Sequence, residues 1–349
     1  MRLHDPEQRH FASDNYAGVH PELLAAIAEA NGGHESSYGA DAYTAHLQRV
    51  MRLHFGETAE AFPVFNGTGA NVVALTSMLP RWGAVITAGT AHVNTDENGA
   101  PERVSGIKLL TVDTSDGKLT PELIDRQAGG RGDEHRAQPL VVSVTQSTEL
   151  GTVYTPEELR AVCEHAHSLG MRVHLDGARL ANAAASLDVP LRALTTDAGV
   201  DVVSFGGTKN GLLFGEAVVV LSPEASVGIP YIRKYTMQLP SKMRFVSAQL
   251  IALLEGELWL RSAQHANAMA ARLREQLEGV VEFTQATDAN ALFAIVPTDA
   301  AARLRETHHF YDWDAARGEV RWMTSWDTTE ADVDAFARDI RSAFGASAS

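Results

Sequence analysis

The chain has 349 residues, enough for about two domains and a core that needs no disulfide staples. It carries 44 acidic against 29 basic residues, a formal charge of −15; the basic footprint of a nucleic-acid or anionic-membrane binder is missing, and neither partner is expected. Its single cysteine, Cys163, excludes an intrachain disulfide or a Cys-based zinc site, and no metal is expected. A reducing, cytoplasmic location fits this usage. The opening MRLHDPEQRHFASD lacks the apolar stretch of a signal peptide, and no apolar run approaches the roughly 20 residues of a membrane span.

Taken in chain order, short apolar runs predict strands at 61–65, 84–88, 107–112, 140–145, 171–176, 201–205 and 217–221. Near-continuous apolar runs suit strands covered on both faces. Between 140 and 176 the pattern reads as a β-α-β unit. Thr155 is a helix cap, Pro156 fits the first turn, and Glu158 completes a capping box. Leu159, Val162, Cys163, Ala166 and Leu169 then form an apolar stripe, and Gly170 ends the helix. Such a unit predicts an α/β fold with a mostly parallel central sheet and helices on both faces. The polar segment 127–138 is expected to be a surface loop. Further on, Met269, Leu273 and Leu277 predict a helix over 265–278, followed by strands at 280–284, 290–296, 308–313 and 319–324. A closing helix is expected near 329–344, capped by Asp327 and Glu330, with Val333, Phe336, Ile340 and Phe344 on one face. The expected organisation is an N-terminal arm (1–20), a large domain (21–245) and a smaller C-terminal α+β domain (246–349).

Three stretches carry chemistry. Asn66-Gly67-Thr68-Gly69-Ala70-Asn71 follows a strand and opens a helix, where glycines allow close backbone approach and free N–H groups attract anions. This is a phosphate cradle or an ordinary strand-to-helix turn. A dinucleotide fingerprint fails because Val72 stands where glycine is needed, and no Walker lysine follows. In His174-Leu175-Asp176-Gly177-Ala178-Arg179, strand alternation puts His174 and Asp176 on one face. Asp176, at the carboxyl end of its strand, calls for a cationic partner. That partner is a protonated ring nitrogen or, more simply, Arg179. Lys209 lies in Ser204-Phe205-Gly206-Gly207-Thr208-Lys209-Asn210-Gly211, directly after a strand; it is a nucleophilic amine or a solvated surface residue. Together, a phosphate cradle, an aspartate for a pyridinium nitrogen and a Schiff-base lysine are what pyridoxal 5′-phosphate requires.

Longer blocks extend this reading. FASDNYAGVHPE (11–22), SYGADAYT (37–44), FNGTGAN (65–71), TAHVNTDENGAPE (90–102), TQSTELGTVY (145–154), HLDGAR (174–179), FGGTKNG (205–211), LPSKMRF (239–245) and RWMTSWDT (321–328) resemble, in order, the low-specificity L-threonine aldolases. These belong to the fold-type I, aspartate-aminotransferase-like pyridoxal-phosphate enzymes. The resemblance implies cleavage of L-threonine, L-allo-threonine and related β-hydroxy-α-amino acids to glycine and an aldehyde. It implies that Lys209 carries the cofactor, Asp176 pairs with its ring nitrogen, and Gly67, Thr68 and Gly69 hold its phosphate with charge added by Arg244. His92 would stack on the ring and reach toward the substrate. Ser13, Arg179 and Arg321 would hold the substrate carboxylate, with Arg179 also bordering the cofactor. Tyr38, toward substrate, and Lys234, toward cofactor, would complete a site shared between subunits of a homodimer or homotetramer. Some members carry a histidine in the segment matching 145–151. Here that segment has none, which leaves His92, a water held by Glu149, or a cofactor-linked group as the base for the β-hydroxyl. Alternatives are a β-eliminating lyase of the same fold, a nicotinamide-dependent oxidoreductase built on Gly67–Gly69, or a binding protein that lost activity.

Overall fold

Seven strands form the larger sheet of a computed structural model that describes residues 2–347: β1 Glu60–Val64, β2 Gly83–Ala88, β3 Lys108–Val112, β4 Gln138–Thr145, β5 Arg172–Gly177, β6 Val202–Gly206 and β7 Glu216–Val220. Each lies within two residues of its predicted range. Their order is β1-β7-β6-β5-β4-β2-β3. The block from β3 to β6 is parallel, and β7 and β1 each run antiparallel to their neighbours. Parallel strands need crossover helices, and the predicted β-α-β unit supplies one in Pro156–Ser168. Its capping box is formed: Thr155 Oγ1 accepts the Glu158 N–H at 3.2 Å, and Glu158 Oε2 accepts the Thr155 N–H at 2.8 Å. Leu159, Val162, Cys163 and Ala166 are buried under the sheet. Burial pushes the Cys163 thiol up to about 12, which suits a packed rather than a reactive sulfur.

A second, antiparallel sheet, ordered β10-β11-β9-β8, follows from β8 Glu282–Phe283, β9 Ala291–Ile295, β10 Tyr311–Asp314 and β11 Glu319–Met323. Helices Leu258–Leu277 and Glu330–Ser347 cover it, and Met269, Leu273, Val333, Phe336 and Ile340 meet Trp322 in a separate core. The closing helix is capped differently from expectation. Thr329 Oγ1 accepts the Asp332 N–H at 3.2 Å and Asp332 Oδ2 accepts the Thr329 N–H at 2.9 Å. Asp327 instead accepts the Ser325 hydroxyl. A turn of four residues, Ser325–Thr328, precedes the helix, so Thr329 takes the cap position.

The expected boundary at 246 falls inside the helix Arg244–Glu255. Val246, Leu250, Leu253 and Leu254 pack into the larger core, as do Leu258 and Ala263, whereas Met269 begins the smaller one. Membership therefore changes within the long helix Leu258–Leu277. The N-terminal segment joins this second core: Phe11 lies in it, donates its N–H to His309 O at 3.0 Å and accepts the Met323 N–H at 2.8 Å.

Candidate active site

The carboxyl ends of the parallel strands open into a cleft of about 1040 Å³. Ser13, His92, Glu149, Arg179, Lys209 and Arg321 all line it. Asp176 stands near the carboxyl end of β5 and is not itself among the residues lining the cleft. It is buried, and Arg179 is not its partner. Its Oδ2 accepts Asn71 Nδ2 at 2.9 Å and its Oδ1 accepts the Ala178 N–H at 3.1 Å. Both donors are neutral, so the carboxylate keeps its charge available to a cationic N–H. On the same strand face, His174 is enclosed between Ser143 Oγ and Ser204 Oγ, 2.9 Å from each. Burial pushes His174 down to about 4, so it stays neutral beneath Asp176.

Lys209 sits in the short turn Thr208–Asn210 after β6, beside the end of β5, where Gly177 pairs with Phe205. Close packing makes glycine necessary here. A Cβ on Gly206 would fall 2.6 Å from Ala178 Cα, and one on Gly207 would fall 2.7 Å from Gly215 O. Glu216, opposite Gly206 on β7, accepts the Gly207 N–H with Oε2 and anchors the lysine turn from below. Burial pushes the Glu216 carboxyl up to about 7, against the pull of Gly207, Thr208 and Lys209. The folded chain thus holds this proton at a pH where the unfolded chain has lost it. The resulting destabilisation is absent at pH 4, grows as pH rises through the interval up to about 7, and is constant above it. Glu216→Gln is expected to be more stable than the parent by about 1–3 kcal/mol at pH 8 and to lose that advantage near pH 4.5. Urea unfolding at the two pH values checks this; an advantage independent of pH would contradict it.

Two arginines line the cleft close enough to act on one another. Arg179 donates to Asp14 through Nε at 2.7 Å and Nη2 at 3.1 Å, and Asn290 Nδ2 donates to Asp14 Oδ2 at 3.1 Å. Burial alone would raise the Asp14 carboxyl, but Arg179 and then Lys209 hold it below the usual carboxylate range. Arg321 is less well matched. Its Nη2 reaches Ala12 O at 3.3 Å, while its Nε is buried with no partner among the described residues. Burial and the neighbouring Arg179 push Arg321 down. Tyr311 and Trp313 flank its guanidinium at 6.0 and 5.7 Å. An under-partnered, dehydrated guanidinium beside a second arginine is chemically suited to take a carboxylate. Ser13 borders the same space and caps the turn Asp14–Tyr16.

Gly67, Thr68 and Gly69 open the helix Gly67–Met78. Asn66 Oδ1 takes the Gly69 N–H at 2.7 Å and Asn66 O takes that of Ala70, while the Gly67 and Thr68 N–H groups have no partner among the described residues. A Cβ on Gly69 would overlap the Gln238 side chain, whose Oε1 accepts the Phe65 N–H at 2.9 Å. Asn71, one turn on from Gly67, reaches Asp176, so a single helix ties the cradle to the carboxylate. Tyr38, Lys234 and Arg244 are not brought to the cleft of this chain. Lys234 Nζ lies 4.9 Å from the centre of the exposed Tyr38 ring, and Arg244 lines a different cavity beside Gly33 and Ser241. Sequence reasoning missed Asp14, Glu97 and Gln238 as site residues. Asp14 and Glu97 stood inside quoted blocks, and only their burial marks them out.

These residues fit pyridoxal phosphate. The cradle offers two free N–H groups and a hydroxyl, Asp176 is met only by neutral donors, and Lys209 supplies the amine on the adjacent strand end. Three likenesses to known proteins agree. Residues 10–298 match the family described as beta-eliminating lyase. The low specificity L-threonine aldolase of a Pseudomonas species is 44% identical over 343 residues, covering 97% of this chain and 99% of that one. The solved threonine aldolase of Leishmania major superposes with a TM-score of 0.91 at 29% identity, covering 96% of this chain and 99% of that chain. In fold alone, the serine palmitoyltransferase of Sphingomonas wittichii is also similar, with a TM-score of 0.74 at 14% identity over 97% and 87% of the two chains. The chain is thus a member of the beta-eliminating lyase family and, within it, of the low-specificity L-threonine aldolases.

Proposed function

We propose that this lyase uses pyridoxal 5′-phosphate to cleave L-threonine, L-allo-threonine and related β-hydroxy-α-amino acids to glycine and an aldehyde. The observation that carries the reading is that Lys209, Arg179 and Arg321 line one cleft, with Asp176 on the strand next to the one that leads to Lys209. When bound, the cofactor supplies a sink for the electron pair released at Cα. Lys209 anchors it, and Gly67, Thr68 and Gly69 receive its phosphate. Asp176 keeps a proton on its ring nitrogen. Arg321 and Arg179 would grip the substrate carboxylate and so fix the orientation of the substrate about Cα. Ser13 adds a hydroxyl on that side. His92 receives the proton of the β-hydroxyl, its ring nitrogen Nδ1 being held by Glu97 at 2.9 Å.

Homo-oligomerisation, as a dimer or tetramer, is supported by the exposed side chains of Leu213, Phe214, Tyr231, Tyr235 and Met237 near Tyr38 and Lys234. In such an assembly Tyr38, Lys234 and Arg244 act at the neighbouring copy's site. A cytoplasmic location accords with the lone buried thiol. Among the described residues, no helix is long and apolar enough to cross a membrane.

Incubation with L-threonine should yield equal amounts of glycine and acetaldehyde. Ammonia and a keto acid would instead identify the β-eliminating reaction. Arg321→Leu is expected to raise the KM for threonine on the order of 10–100-fold, the worth of a charge-assisted hydrogen bond to a carboxylate. An unchanged KM would remove Arg321 from the carboxylate site.

A further inference from the structure

His92 opens a helix of only four residues, His92–Thr95, whose preceding residue makes no side-chain cap. Its ring is partly open to the cleft, and Glu97 is its one hydrogen-bonding partner among the described residues. Glu97 Oε1 lies 2.9 Å from His92 Nδ1 and accepts Asn71 Nδ2 at 2.8 Å. That same Asn71 nitrogen donates to Asp176 Oδ2 at 2.9 Å. The Glu97 side chain is wholly buried, and its Oε2 has no partner among the described residues.

We propose that Glu97 is a positioning residue for the carbon–carbon cleavage: it fixes the proton of His92 on Nδ1, presents the bare Nε2 to the substrate β-hydroxyl, and through Asn71 ties that base to the Asp176 carboxylate. A glutamine of the same shape would avoid the cost of burying a carboxylate. The charge is useful when His92 takes up a proton, because a buried anion then faces an imidazolium. In the step itself the hydroxyl proton passes to Nε2 and the oxygen electron pair forms the aldehyde carbonyl. The Cα–Cβ electron pair stays with the glycine fragment, which later takes a proton at Cα. The groups facing His92 raise its basicity, Glu97 foremost by its hydrogen bond, then Glu149 and Asp176, against the opposing effect of burial. Burial, and the nearby Asp176, push Glu97 itself up; His92 and Asn71 oppose them.

The inference rests on His92 as the base, and two substitutions separate the claims. In the holoenzyme, Glu97→Gln is expected to lower kcat by about 10²–10³-fold. It should leave the threonine KM and the cofactor absorbance near those of the parent and move the acid limb of the kcat profile to lower pH. Histidine side-chain NMR without substrate should show His92 titrating at lower pH in the variant. An unmoved limb and an unmoved titration would overturn the role of Glu97. A His92→Ala enzyme with parental kcat would overturn the base assignment instead. Should Glu97→Gln not fold, Glu97→Asp decides, since its carboxylate is retracted by one methylene. Lowered kcat with unchanged KM supports positioning, and parental kcat refutes it.

Discussion

Lys209→Ala is expected to lose at least about 10⁴-fold in turnover, because a covalent anchor has no substitute among side chains that merely bind. The lysine is only partly buried, and its turn is held by Glu216 through Gly207 and by the close packing of Gly206 on Ala178. The variant should therefore fold with stability within about 1 kcal/mol of the parent. Borohydride treatment of the parent should fix the cofactor to the peptide containing Lys209, and the variant should take up no label. Turnover in Lys209→Ala within tenfold of the parent would defeat the site assignment as a whole.

Asp14→Ala is expected to cost about 3–5 kcal/mol of stability, the usual effect of leaving a buried charge without its partner. Arg179 spends two of its donors on Asp14, and Asn290 spends one. Removing the carboxylate leaves a buried guanidinium facing Arg321, which carries the same charge. Substrate carboxylate would then stand in for the missing aspartate, so glycine or threonine should raise the Tm of the variant more than that of the parent. Denaturant unfolding with and without glycine measures both effects. A loss below about 1 kcal/mol would mean that water or another anion compensates Arg179.

What could be read from the sequence shares a physical character. The strands and the capping box at Thr155 are each defined by neighbours within one element, as are the proposed site stretches at Gly67–Gly69, Asp176 and Lys209. Local periodicity and turn chemistry therefore reveal them. The supporting residues are fixed by tertiary contacts. Asp14 meets Arg179 across 165 positions, and Gln238 reaches Phe65 across 173. Arg179 looked like a partner for Asp176 because they are three residues apart, yet chain proximity lost to a bidentate pairing with the arm. The same limit moved the last helix cap from Asp327 to Thr329, where Thr328 turning back to Ser325 decided the register.

The arm has a kinetic consequence. Phe11 exchanges backbone hydrogen bonds with His309 and Met323, and Asp14 touches both Arg179 and Asn290. Contacts spanning some three hundred positions close the largest loops in the chain, and loop-closure entropy must be met before they add any stability. The larger sheet can form its parallel strands while the arm is still loose. The end of the cleft at Arg179 and Arg321 then assembles last, when both ends of the chain have docked. Refolding should accordingly show cofactor-binding competence and burial of Trp259 in the larger core ahead of substrate affinity, with the lag between them set by the arm.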